Sequence, residues 1–358
     1  MSFAKIKSSL LSLGLAVSLG LAVCAAAPMI APPAKAAAPA KAGTWAKIKV
    51  HGKSLEGNLE GDSADRDVFV YLPPSYATNR NRRYPVIYNL HGYTVTSDLW
   101  GKFLKWPGTL DHAFGAGAVR DMIVVMPDAM SLHNGSMYSN SVTTGDWEAF
   151  LAHDLVAYVD SHYRTIPDRM SRGLSGHSMG GYGTFRIGMK HPEVFGSIYA
   201  MSACCMPPRG ADGTANAEAI KTREAAVKGD FGVRSTFSVA AAWSPNPNNP
   251  PFFVDLPTKD GKVQPMVIAQ WAANAPLVFV HQYIPNLKTL HAIGFEIGLK
   301  DGGLPDSQMM DKILTGYGIA HSFETYDGDH TNHIAERVET KLLPFFDKAL
   351  SFSPVKRR

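Results

Sequence analysis

The chain contains Gly176-His177-Ser178-Met179-Gly180-Gly181, a Gly-x-Ser-x-Gly pattern. Glycine two positions to either side of a serine suits a tight strand-to-helix turn, where flanking side chains would collide with neighbouring backbone. A helix opening after Ser178 would aim its free N–H groups at a reacting oxygen. A serine hydroxyl is a weak nucleophile, so it needs a base, and the base needs an acid to orient it. Around such a turn both partners follow the serine in the chain. Among thirteen histidines, His330 stands out as the expected base, because it follows the last expected strand through Asp327-Gly328-Asp329. His333 is its close competitor. Asp301 is the expected acid, just past the run 295–299 and before Gly302-Gly303; Glu296 and Asp306 are rivals, and Asp128 precedes the serine. Two N–H donors must hold a developing oxyanion, and the backbones of Met179 and of Tyr93, in His91-Gly92-Tyr93, are placed for it. His177 reads as a packing residue and His91 as a structural hydrogen-bonder. His330-x-x-His333 lacks the glutamate of a zinc-binding H-E-x-x-H helix, so a metal is not expected there, and a serine, a base and an acid of this kind require no organic cofactor.

These residues need a frame of strands. Runs at 68–72, Val86–Leu90 and 122–126 are almost continuously apolar, as befits strands buried on both faces of a largely parallel sheet. The spacing of Trp147, Phe150, Leu151, Leu155, Tyr158 and Val159 predicts a helix within 146–164. A strand at 173–175 leads into the serine turn and a helix to Lys190. Ser197–Met201, 295–299 and Ser322–Tyr326 are the later strands, and a closing helix runs from about Ile334 with a kink at Pro344. This alternation argues for one doubly wound α/β domain over 37–358, with a cap-like insertion at about 206–291. Within the insertion a helix is expected at 215–227, before a proline-rich stretch.

The ends have another character. Lys5 and Lys7 precede an apolar stretch, 10–23, and then alanine-rich sequence, so residues 1–36 read as a signal peptide and low-complexity leader. The protein is therefore expected to be exported, to the periplasm or beyond, with no stable membrane span, since 14 residues are fewer than the ~20 a spanning helix needs. Lipid anchoring at Cys24 is disfavoured by the bulk of Val23. The net charge of +4 resides in Lys5, Lys7, Lys35 and Lys41, leaving a formally neutral body with no basic run for nucleic acid. With 45% hydrophobic and 18% charged residues, the chain has the composition of a large packed core rather than of a disordered protein. Cys204 and Cys205 are adjacent, which disulfide geometry penalises, so two small hydrophobes are the simpler expectation. Nothing here sets the oligomeric state.

With the serine hexapeptide, His91-Gly92-Tyr93, Asp301 and His330 together, the chain resembles the esterase family of α/β-hydrolases that groups S-formylglutathione hydrolases, feruloyl esterases, enterochelin esterase-like proteins and mycolyltransferases. The likeness runs from about 68 to 350 and is weakest over 206–291. The resemblance implies an α/β-hydrolase fold with a mostly parallel central sheet and helices on both faces. It also implies a serine esterase acting on a small-molecule ester, with Ser178, Asp301 and His330 catalytic and the Tyr93 and Met179 amides as oxyanion hole. An acyltransferase using the same triad, or a non-catalytic glycan-binding relative, is the alternative. Mycolyltransferases commonly place glutamate at the acid and tryptophan after the histidine, where this chain has Asp301 and Thr331-Asn332. A feruloyl-type substrate would need aromatic walls, for which Trp100, Trp106, Tyr138, Trp147 and Trp243 are candidates, with Tyr138, Trp147 and Trp243 the expected contributors.

Overall fold

The computed structural model describes residues 42–353. The leader expected over 1–36, Cys24 and the basic end 356–358 lie outside the described residues.

Eight strands form one sheet: β1 (Thr44–His51), β2 (Asp65–Leu72), β3 (Val86–Leu90), β4 (Ile123–Pro127), β5 (Arg172–His177), β6 (Ser197–Met201), β7 (Ala292–Gly298) and β8 (Ser322–Tyr326). Their order is β1-β2-β4-β3-β5-β6-β7-β8. From β4 to β8 neighbours run parallel, whereas β1 and β2 pair antiparallel at one edge. The apolar runs arise because both faces are covered. In β4, Ile123 and Val125 enter one core while Val124 and Met126 enter the other. β1 is the strand the apolar pattern does not reveal, because Lys47 and Lys49 interrupt it. As an edge strand it turns those lysines outward onto Asp67, at 2.8 and 2.6 Å.

The helix expected within 146–164 forms as Trp147–Ala149, a π-helical turn Phe150–Asp154, and Leu155–His162. The closing helix likewise starts at Ile334 and widens through Val338–Leu342 before Leu343–Ala349. Pro344 thus follows directly on the π-helical turn of a continuous helix, and such a turn is where a helix absorbs a missing N–H. In the insertion, the helix expected at 215–227 divides into Ala215–Glu218 and Arg223–Lys228, because the Thr222 hydroxyl accepts from the Ala225 amide and starts a new helix. A longer helix follows, Phe231–Trp243. The Trp243 indole donates to Ser139 Oγ at 3.2 Å, fastening this helix to the body. No described helix is long and apolar enough to cross a membrane.

Candidate active site

Ser178 ends β5 and caps the helix Met179–Lys190, with φ 57° and ψ −114°. This is a costly conformation for a non-glycine residue, and the surrounding backbone leaves no alternative. A Cβ on Gly180 would lie 2.1 Å from the Leu90 carbonyl oxygen, and one on Gly176 would lie 2.5 Å from the Gly180 backbone. The two glycines therefore let the helix descend onto β3 while the serine is lifted off the sheet. The Ser178 amide donates to the Met201 carbonyl at 3.0 Å, tying the turn to β6.

Two late loops reach the serine together because the ends of β7 and β8 press backbone on backbone. A Cβ on Gly298 would meet the Gly328 carbonyl oxygen at 2.4 Å, and the Lys300 amide donates to that carbonyl at 2.8 Å. Asp301 leaves the first loop and His330 the second. His330 Nδ1 lies 2.7 Å from Asp301 Oδ2, and His330 Nε2 lies 2.9 Å from Ser178 Oγ. A carboxylate partner makes Nδ1 the protonated nitrogen, which leaves Nε2 as acceptor toward the serine. The carboxylate side chain is only 6% exposed and the imidazole 40%, so the acid is shielded while the ring edge is open. Burial pushes the Asp301 carboxyl upward, but donation from His330, the Gly303 amide and the charge of His330 together hold it below the ordinary range. Asp329 shapes the turn by accepting the amides of Thr331 and Asn332 at 2.8 and 2.9 Å.

The Met179 amide opens its helix and has no intrahelical acceptor. The Tyr93 amide donates to no described residue. The loop bearing it is close, since a Cβ on Gly92 would stand 3.5 Å from Ser178 Cβ. His91 holds this loop: its buried ring accepts the Ala129 amide at Nε2 and donates from Nδ1 to the Gly92 carbonyl, both at 2.8 Å.

The competing residues have other partners. Glu296 is buried against Arg337, with contacts of 2.8 and 2.7 Å. Asp128 accepts the Ser97 and Met130 amides, and exposed His333 faces Glu336 at 3.0 Å. Asp306 lines the cleft but sits in the first turn of Leu304–Gly316. Among the described residues no group of three or more His, Cys, Asp or Glu is placed to hold a metal ion.

Three expected substrate contacts need correction. Tyr138, Trp147 and Trp243 are core residues, at most 3% exposed. Tyr138 donates to the His91 carbonyl and Trp147 to the Thr144 carbonyl, each at 2.9 Å, so their polar ends are already used. Large aromatics in an α/β core bury area by default, and sequence alone does not separate them from a cleft wall. Of the other two candidates Trp106 is also buried, while Trp100 does line a cleft; most of the walls come from elsewhere. One cavity of about 390 Å³ beside Ser178 and His330 is lined by Met137, Cys204, Cys205, Arg209, Phe231 and Val239. A second, of about 480 Å³, shares Tyr93, Ser178, Phe231 and His330 and adds Leu99, Trp100 and Phe103. Phe231, 64% exposed, stands between them against Tyr93, at 5.8 Å between ring centroids. The sequence signal for this wall was helical spacing: Phe231, Ser235, Ser238 and Val239 share one face of Phe231–Trp243.

His177 does more than pack. Its Nε2 donates to the His330 carbonyl at 2.7 Å, and its ring stacks on Trp100 at 5.4 Å. Burial, with the charge of His330 adding to it, lowers its pKa to about 3, so it stays neutral.

A serine on a strained turn at the C-terminal ends of a parallel sheet, with a histidine and an aspartate from later loops, defines an α/β-hydrolase site. The family model described as "Putative esterase" matches residues 63–334, and the chain belongs to that family. Among curated relatives, an endo-1,4-beta-xylanase/feruloyl esterase from Xylanibacter ruminicola is 32% identical over 132 residues, 36% of this chain and 18% of that protein. Esterase Rv1288 from Mycobacterium tuberculosis is 31% identical over 139 residues, 38% of this chain and 28% of that protein. The chain thus matches less than a third of the length of either relative. Among solved structures, a ferulic acid esterase superimposes with TM-score 0.63 at 21% identity, covering 86% of this chain and 99% of that one. An S-formylglutathione hydrolase from Staphylococcus aureus does so with TM-score 0.58 at 15% identity, covering 85% and 99%. These two likenesses concern the fold.

Proposed function

We propose that the protein is an exported serine carboxylic-ester hydrolase working through an acyl-enzyme. The observation that carries this reading is the unbroken line from Ser178 Oγ through the His330 ring to Asp301 Oδ2, at 2.9 and 2.7 Å. Ser178 Oγ attacks the ester carbonyl while His330 Nε2 takes its proton. Asp301 keeps the imidazole in the tautomer that can accept and stabilises its charge once protonated. The Met179 and Tyr93 amides receive the oxyanion. His330 then protonates the departing alcohol, and a water activated by the same nitrogen releases the acid.

The apolar walls on both sides of the serine favour an ester with an apolar acyl group and an apolar or aromatic neighbour across the bond. Hydroxycinnamoyl esters are the candidates suggested by the feruloyl esterases among the relatives. Export rests on the composition of residues 1–36. A fluorophosphonate probe should label Ser178, and Ser178→Ala should lose both labelling and turnover of p-nitrophenyl esters. Turnover retained in that variant would reject the mechanism. Feruloyl and chain-length panels would then rank the acyl groups.

A further inference from the structure

Cys204 and Cys205 follow β6 and open on the cavity beside Ser178 and His330. Both are free and both are partly exposed. Their sulfurs lie 3.0 Å apart. Cys205 has φ 59°, in the left-handed region, so the backbone between them is already bent away from the extended form that would separate neighbouring side chains. The Cys204 amide donates to the Ser178 carbonyl at 3.1 Å, which couples this pair mechanically to the serine turn. Donation from the Cys204 thiol, with Arg209 and His330 nearby, holds the Cys205 thiol below the ordinary range, while Cys204 is pushed up by the same hydrogen bond and by burial.

We propose that Cys204 and Cys205 are a dithiol modification site, which a low-molecular-weight disulfide converts to a vicinal disulfide that slows ester turnover. The Cys205 thiolate attacks one sulfur of oxidised glutathione and expels a glutathione thiolate, forming a mixed disulfide. Cys204 then gives up its proton and attacks Cys205 Sγ, expelling the second glutathione. Two protein thiols are oxidised, one glutathione disulfide is reduced to two thiols, and the released protons go to the departing thiolates. An S–S bond of ~2.05 Å draws the sulfurs together by about 1 Å. That movement displaces a wall of the cavity and, through the Cys204 amide, the turn that aims Ser178. A displacement of this size at a reacting group lowers turnover roughly tenfold to a hundredfold.

The effect on turnover rests on the esterase reading; the thiol chemistry does not. The full chain and its Ser178→Ala variant are each treated with oxidised glutathione, and the tryptic fragment 191–209, which holds both cysteines and no other, is weighed. The fragment is expected to be lighter by two hydrogens in both proteins and to carry no glutathione. Cys204→Ala should instead trap glutathione on Cys205. In the unsubstituted protein p-nitrophenyl ester turnover should fall at least tenfold and return with dithiothreitol, while the Cys204→Ser/Cys205→Ser variant keeps its own untreated rate. Unchanged thiols or a persistent glutathione adduct in the Ser178→Ala fragment would overturn the dithiol site. Internal oxidation with undiminished turnover would overturn the coupling to activity. Absence of turnover before treatment would instead reject the esterase reading, with the fragment mass still deciding the thiol chemistry.

Discussion

His177 and His330 stand with ring centroids 4.9 Å apart, yet the structure puts them to opposite uses. His330 is half-exposed, bound to a carboxylate at one nitrogen and facing a hydroxyl with the other. His177 is sealed under Trp100, with only a backbone carbonyl as partner. A carboxylate stabilises the imidazolium that a general base must become, whereas a low-dielectric pocket with a single neutral acceptor prevents it from forming. The pair teaches that a histidine's chemistry is set by what meets its two nitrogens. Its position in a motif says less, since His177 lies inside the serine hexapeptide and His330 lies 152 residues from the serine.

Removing His330 or Ser178 should break the comparison most severely. His330→Ala or Ser178→Ala is expected to lower kcat by on the order of 10⁴- to 10⁶-fold with the fold intact, read from ester hydrolysis and circular dichroism. Asp301→Asn leaves the shape of the acid but lets His330 take the wrong tautomer, and kcat should fall by about 10⁴-fold. A fall below tenfold would show that another group orients the ring.

Substituting His177 sharpens the contrast. His177→Phe keeps a ring against Trp100 but removes the donor to the His330 carbonyl. We expect kcat to fall roughly tenfold with KM little changed, because the base is displaced rather than lost. The same variant has an acid-stability signature. The folded pKa of about 3 lies below the ordinary 6.5, so the unfolded chain binds a proton that the native state refuses. The corresponding stability is full above about pH 6.5 and is lost as pH falls toward 3, amounting to about 2.5 kcal/mol between pH 7 and 4.5. Urea denaturation at those two pH values should show a shallower loss for His177→Phe than for the unsubstituted protein. Asp301, depressed in the native state, adds a loss in the same direction at lower pH and is present in both. The smallest effect is expected of Phe231→Ala, which opens the partition between the two cavities. KM for esters with large apolar groups should rise a few-fold with kcat unchanged, and small acetyl esters should not respond.

Much of this arrangement was legible before any coordinates. β3 and β6 begin and end where the apolar runs do, because strands covered on both faces must be apolar throughout, whereas β8, an edge strand, keeps Glu324 and Thr325 among its aromatics. Gly176 and Gly180 announced a turn too crowded for Cβ atoms. Where pattern was silent, the reason was physical. β1 alternates lysine with apolar residues because it is half solvated, and the 215–227 segment holds a cap residue, Thr222, that divides it. Tyr138, Trp147 and Trp243 have the composition of an aromatic wall, but burial is a property of place and their places are in the core.

Residue types and local spacing were sufficient to determine the sharp turn at Ser178, the strand rhythm beneath it and the loops from which an acid and a base could come. They could not decide which aspartate met which histidine, that His177 would hold the backbone of His330, or that Phe231 and two adjacent cysteines would face the serine. Local preferences act over a few residues, whereas these contacts join segments up to 153 residues apart through the order of strands in one sheet. That order is fixed by the packing of the whole.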